Sequence, residues 1–287
     1  MAFDGPAQLR AMIRSCRLCP RACGANRVSG QPGWCRLGAE ALVASAGPHF
    51  GEEPPLVGSG GSGTIFFASC NLDCVYCQND DISHTLDGDP ADAAQVSALM
   101  LRLERMGCEN VNFVTPTHVA HVVAGAIALA RAQGFALPTV YNCGGYESVE
   151  TLRLLDGLVD IYMPDFKYAD AERGLRYSGV PDYPRVAQAA LAEMYRQVGP
   201  LRVNRRGVAE RGVLVRHLVL PGDIAGSEQV LRTVAETAPG AAVNVMAQYR
   251  PCSRARLFPE LLDRPDPHEV MRLRRVAESL GLANVDH

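Results

Sequence analysis

The 287-residue chain has no surplus of charge of either sign: 28 lysines and arginines stand against 31 aspartates and glutamates, for a net charge of −3. A dominant nucleic-acid or anionic-lipid surface is therefore not expected. No apolar run reaches membrane-spanning length, and the start Met1-Ala2-Phe3-Asp4-Gly5 lacks the charged-then-apolar pattern of a secretory signal. A cytoplasmic protein with neither membrane nor nucleic-acid partner is the expectation. The stretch Gly58-Ser59-Gly60-Gly61-Ser62-Gly63 lacks the Lys-Ser/Thr of a phosphate-binding loop and leads into a strand rather than a helix, so it reads as a flexible connector. Cysteine is not scarce. There are ten, and in a long chain in a reducing compartment they are ligands more often than bridges.

With 47% hydrophobic and 21% charged residues, the chain has the makings of one large globular unit with a small appendage. β-rich runs fall at residues 64–68, 111–115, 139–141, 159–163, 212–220 and 243–246. Helical patterns lie between and after them. The first takes Asp89-Pro90 as N-cap and first-turn proline, places Val96, Leu99, Met100 and Leu103 on one face and stops at Gly107. Others span residues 118–133, 148–155, 184–198, 227–238 and 267–280. Six strands, each followed by a helix, imply parallel pairing through right-handed crossovers. An open six-stranded partial barrel and a doubly wound sheet both satisfy that pattern. Either places ligands at the C-terminal ends of the strands.

The chemistry concentrates just after the first strand, where Cys70, Cys74 and Cys77 are spaced C-x3-C-x2-C. One loop can bring three thiolates of this spacing to one point. Thiolates are the soft ligands of iron–sulfur clusters, and a cubane of four irons held by three of them keeps one iron open. Four further cysteines, Cys16, Cys19, Cys23 and Cys35, lie among turn-forming residues and mark residues 1–50 as a Cys-rich metal-binding segment ahead of a core domain at 51–287. Their spacings of 2, 3 and 11 leave zinc and an auxiliary cluster equally open, with a Cys16/Cys19 redox pair a weaker third reading. Polar groups recur where the strands end: Thr115 and Thr117, Asn142, Asp165 and Lys167, Arg216, then Gln248 and Tyr249. Five polar strand ends in succession favour a lined cavity over unrelated helix caps.

The cysteine triplet, with Tyr76 directly before the last cysteine, resembles the signature of radical S-adenosylmethionine (SAM) enzymes. Cys16-Arg17-Leu18-Cys19-Pro20-Arg21, Asp160–Tyr168, Val215–Gly222 and Met246–Arg250 are similar to the PflX-like branch, related to the activating enzymes of pyruvate formate-lyase and other glycyl radical enzymes. That resemblance implies an α/β fold, the partial (β/α)6 barrel, with the small Cys-rich N-terminal extension. It implies an oxidoreductase in which a 4Fe-4S cluster on Cys70, Cys74 and Cys77 cleaves SAM reductively to a 5′-deoxyadenosyl radical that abstracts hydrogen. It places Tyr76, Asn79, Thr115, Thr117, Asn142, Gln248 and Tyr249 around the cofactor, with Asp165 and Lys167 beside both SAM and substrate and Arg216 beside the cofactor, these three being the catalytic candidates. A reductant such as flavodoxin or ferredoxin is implied, and the substrate is a protein or a small molecule. The chain departs from many such enzymes after the second strand, where Thr115-Pro116-Thr117 replaces Gly-Gly-Glu. The rival expectation is a non-catalytic iron–sulfur electron carrier or metal-binding module.

Overall fold

The computed structural model describes residues 4–285. In chain order it contains α1 (Gly5–Met12), β1 (Ala41–His49), α2 (Pro54–Val57), β2 (Ser62–Phe67), α3 (Asp80–Ser83), β3 (Asp89–Ala91), α4 (Ala93–Arg105) and β4 (Asn110–Val114). Then come α5 (Ala120–Ala132), β5 (Thr139–Cys143), α6 (Val149–Leu154), β6 (Ile161–Pro164), α7 (Ala171–Ser178), α8 (Tyr183–Val198), β7 (Arg202–Val203) and β8 (Ala209–Leu218). The chain closes with α9 (Ser227–Thr237), β9 (Ala242–Met246), α10 (Pro267–Ser279) and β10 (Ala283–Asn284).

Strands β2, β4, β5, β6, β8 and β9 are neighbours in that order and every pair is parallel. Every residue of β4, β5 and β6 is buried, as expected of strands covered on both faces. The sheet stays open: β1 and β3 extend it antiparallel beyond β2, and β10 extends it beyond β9. The architecture is thus the α/β partial barrel. Its interior is plugged from α2, whose Leu56 is fully buried against Val140, Ile161, Met163, Leu214 and Ala242 from four successive strands.

Three local expectations are corrected. Asp89-Pro90 does not open α4: both residues lie in β3, paired with Leu42 and Val43 of β1. The cap is Asp92, which accepts from the amides of Ala94 and Gln95 while the Gln95 side chain accepts from the Asp92 amide. Residues 58–63 are not a loose connector, because Glu109 accepts from the amides of Ser59 and Gly60 and Ser62 already belongs to β2. Gly60 is required there, since a Cβ would lie 1.9 Å from the carbonyl oxygen of Gly107. Third, α7 stands between β6 and α8, where no helix was expected.

The N-terminal segment is built into this frame. Its strand β1 pairs with β2 from Val43 to His49, and Leu9, Met12, Ile13 and Leu18 join the same apolar core as Tyr141, Leu152 and Leu191. No helix among the described residues is long and apolar enough to cross a membrane.

Candidate active site

Past Phe67 the backbone turns sharply, with Ser69 at φ 71°, in the left-handed region that side chains disfavour. Two hydrogen bonds hold it there: the Ser69 hydroxyl donates to the Cys35 carbonyl (2.5 Å) and its amide to that of Ile82 (2.8 Å). The turn carries Cys70, Cys74 and Cys77 to one end of a cavity of about 340 Å³. The rest of its wall comes from the C-terminal ends of the parallel strands: Thr115 after β4, Asn142 on β5, Asp165 and Lys167 after β6, Arg216 on β8, and Met246 and Gln248 at β9. Thr115, at φ 60°, is a second non-glycine residue in the left-handed region, again at the cavity. A larger but more open groove of about 780 Å³ lies on another side of Cys70, where its acids Asp73 and Asp80 are engaged by Arg254, His84 and Ser253.

Lys167 is the only lysine in the chain. Its ammonium donates to Asp165 at 2.5 Å, while Phe166 between them turns to the helix layer and packs edge-on against Tyr183 of α8. Burial works against the Lys167 charge, but Asp165 and Cys74 outweigh it and hold the group well above the usual lysine range. Burial pushes the thiols of Cys70, Cys74 and Cys77 up, and Lys167 is the cation that pulls all three back. A line of hydroxyls also reaches Cys74: Tyr76 to Tyr168 (2.6 Å), Tyr168 to Ser178 (2.8 Å) and Ser178 to the Cys74 sulfur (3.0 Å).

Deeper in the barrel, Arg216 donates to Glu53 through Nε (2.6 Å) and Nη2 (3.1 Å), and to Glu52 through Nη2 (2.8 Å). Glu53 also accepts from Asn244 (2.9 Å). Burial and the neighbouring Glu53 push Glu52 up despite Arg216, whereas the contacts of Glu53 to Arg216 and Asn244 outweigh its burial and hold it down. Sequence reasoning missed both acids. The signal was present in Gly51-Glu52-Glu53-Pro54-Pro55, paired carboxylates held by prolines, but nothing along the chain says that this segment crosses the barrel.

Of the residues expected at the site, Tyr76, Asn79, Thr115, Asn142, Asp165, Lys167, Arg216 and Gln248 line the cavity. Thr117 and Tyr249 do not. Thr117 turns away and donates to the buried Glu147 (2.6 Å), and Tyr249 donates to the Leu261 carbonyl (2.7 Å) while its ring packs against that of Tyr76. Among the described residues, no three His, Cys, Asp or Glu side chains stand close enough together to hold one metal ion. A cubane takes each thiolate at a different iron, so three thiols spread around a cavity end suit a cluster better than a single ion. Cys16, Cys19, Cys23 and Cys35 line a second, much smaller cavity with Arg27 and Trp34.

The frame resembles the partial barrel of radical SAM enzymes. A crystal structure of a radical SAM methyltransferase from Sphaerobacter thermophilus superposes with a TM-score of 0.52 at 15% identity, over 79% of this chain and 66% of that one. HydG, a maturase of the [FeFe]-hydrogenase, gives 0.51 at 13% identity, over 77% and 49%. The chain therefore spans less than two thirds of either structure's length. No protein-family model matches the sequence. The chain belongs to the family of the uncharacterized protein MJ0674 of Methanocaldococcus jannaschii, to which it is 30% identical over 282 residues, 94% of this chain and 76% of the relative.

Proposed function

We propose that the protein is a radical SAM enzyme. The observation that carries this reading is that three thiols of one loop and the chain's single lysine face one cavity at the C-terminal ends of six parallel strands. Cys70, Cys74 and Cys77 would hold a 4Fe-4S cluster, with SAM in the cavity beside it. When bound, the reduced cluster would supply one electron to a carbon–sulfur bond of SAM, which would break to methionine and a 5′-deoxyadenosyl radical able to take hydrogen from a substrate.

The chain's own residues position and shield. Lys167, held by Asp165, offers a directed ammonium to a carboxylate of SAM or substrate. Asn142 and Gln248 offer amides at the strand ends, and Phe66, Leu72, Leu218 and Met246 exclude water from the walls. Arg216, clamped by two glutamates, sets the polarity of the floor. Thr115 stands where many such enzymes have Gly-Gly-Glu and offers a hydroxyl without the carboxylate's charge.

Within this reading, abstraction from a peptide glycine, as in glycyl radical enzyme activation, is the leading reaction, with a flavodoxin- or ferredoxin-type reductant. The non-catalytic electron carrier is less well supported, because such a protein needs no cavity of about 340 Å³ with polar strand ends. Anaerobically reconstituted, dithionite-reduced protein is expected to form 5′-deoxyadenosine from SAM. An intact cluster that never does so leaves the carrier. A second readout needs no turnover: bound SAM is expected to protect Lys167 from reductive methylation, followed by peptide mass spectrometry. Equal labelling with and without SAM removes Lys167 from the site.

A further inference from the structure

Arg27 is 1% exposed, yet the partners of its guanidinium are not anions. It donates to the carbonyls of Gly38 (2.8 Å) and His118 (2.7 Å) and to the Cys16 sulfur (3.7 Å), and Nη2 has no partner. A guanidinium cannot shed its proton, so a buried one needs a counter-anion nearby. The groups available to become anionic around it are thiols: Cys16, Cys19, Cys23 and Cys35 line the small cavity into which Arg27 projects. Arg21 stands at the same cavity with its own Nη2 unpartnered, its guanidinium 3.7 Å above the ring of Trp34.

We infer that these four cysteines form a second metal centre, a soft metal held by thiolates whose combined negative charge Arg27 offsets in part. Four thiolates around a divalent zinc, or around a 4Fe-4S cluster, leave a net anion, beside which a buried arginine is stabilised. The cavity between the thiols is about 10 Å³, room for one ion. No three of the thiols are yet close enough to share an ion, so zinc draws them inward, whereas a cluster spreads the loop. Both are the same chemistry, and the test separates them.

The centre is tied to the catalytic loop. The Cys35 carbonyl receives the Ser69 hydroxyl (2.5 Å), and Arg21 Nε donates to the carbonyl of Asn71 (3.0 Å), so residues on both sides of Cys70 hang from the four-thiol segment. Loading the second centre thereby braces the turn that aims Cys70.

The test uses the full chain with Cys70→Ser, Cys74→Ser and Cys77→Ser, so its outcome does not depend on the radical SAM reading. Metal analysis after anaerobic purification is expected to give about one zinc or about four irons per chain. For zinc, replacement by cobalt(II) should show intense thiolate-to-cobalt charge-transfer absorption; for iron, the protein should be brown. Adding Cys23→Ser and Cys35→Ser should abolish the metal, with circular dichroism reporting whether the fold survives. In the chain retaining all four thiols, Arg27→Gln should speed metal loss to a chelator at least tenfold. Metal-free protein overturns the inference, as does metal that persists after loss of Cys23 and Cys35 in a folded chain. Unchanged chelation in Arg27→Gln overturns the role given to Arg27.

Discussion

At the scale of single residues, the site turns on charges whose neighbours decide what they do. On an open surface, the Asp165–Lys167 pair would be worth at most about 1 kcal/mol. At the cavity its side chains are 30% and 17% exposed, and the ammonium also acts on the Cys74 thiol. Lys167→Met keeps most of the length and removes the charge. SAM turnover is expected to fall at least tenfold, about 1.4 kcal/mol, with the melting temperature nearly unchanged; normal turnover, or a loss that tracks unfolding, would take Lys167 out of the mechanism. Glu147 presents the opposite case. It is 1% exposed, receives the hydroxyls of Thr117 and Tyr141, and burial pushes its carboxyl from 4.5 up to about 7. Below pH 4.5 both folded and unfolded chains hold this proton. From there to pH 7 only the folded chain does, so this group's stabilisation is lost as pH rises, by roughly 3 kcal/mol in all. The buried His118 and His121, held at about 3 by burial, act in the other direction below pH 6.5, so only a difference isolates Glu147. Glu147→Gln is expected to gain stability relative to the parent between pH 5 and pH 8 in paired urea melts. Parallel pH profiles would show that Glu147 does not carry that slope.

At the scale of elements, short connections do what the regular elements do not. The turn after β5 brings Gly145, at φ 79°, so close to the Asp165 carbonyl that a Cβ would stand 2.1 Å from its oxygen. Gly145→Ala should cost roughly 2 kcal/mol or more from the left-handed backbone and the clash together, and should displace the strand end that carries Lys167. Its lesion should therefore be visible both in stability and in SAM binding; a variant unchanged in both would mean that the two turns are not coupled. The four-residue helix α2 plugs the barrel with Leu56. Leu56→Ala should lose about 3 kcal/mol in urea unfolding. Helix α4 shows why its start was misread. Asp89-Pro90 carries good local signals for a helix start, but β1 offers a ladder there, and Asp92 with Gln95 makes the stronger cap three residues on.

At the scale of the whole molecule, Cys16 lies in the same apolar core as Cys74, and the two cysteine sets are joined through Ser69 and Arg21. The protein isolated without oxygen should be brown, and Cys74→Ala should abolish 5′-deoxyadenosine formation while leaving a folded chain, since one thiol is removed from a core that the strands and helices hold. Full activity in that variant would defeat the radical SAM reading. Loss of the fold as well would mean that the centre at Cys70, Cys74 and Cys77 is structural.

The sequence by itself made the six parallel strands legible, because short β-rich runs alternate regularly with helical patterns and such alternation demands parallel pairing through crossovers. It also determined the cysteine triplet, whose spacing along one loop needs no tertiary information. Strand-end positions for Asp165 and Lys167 were legible for the same reason: residues two apart in an extended chain share a side. Tertiary structure alone decided that Thr117 and Tyr249 face away, since a strand's end fixes where a residue is but not which neighbour its hydroxyl finds. It alone decided that Glu52 and Glu53 meet Arg216 across more than 160 residues of chain. It also set Arg27 among four thiols, because long-range charge pairing depends on what the fold brings near, and no local pattern in the chain encodes that distance.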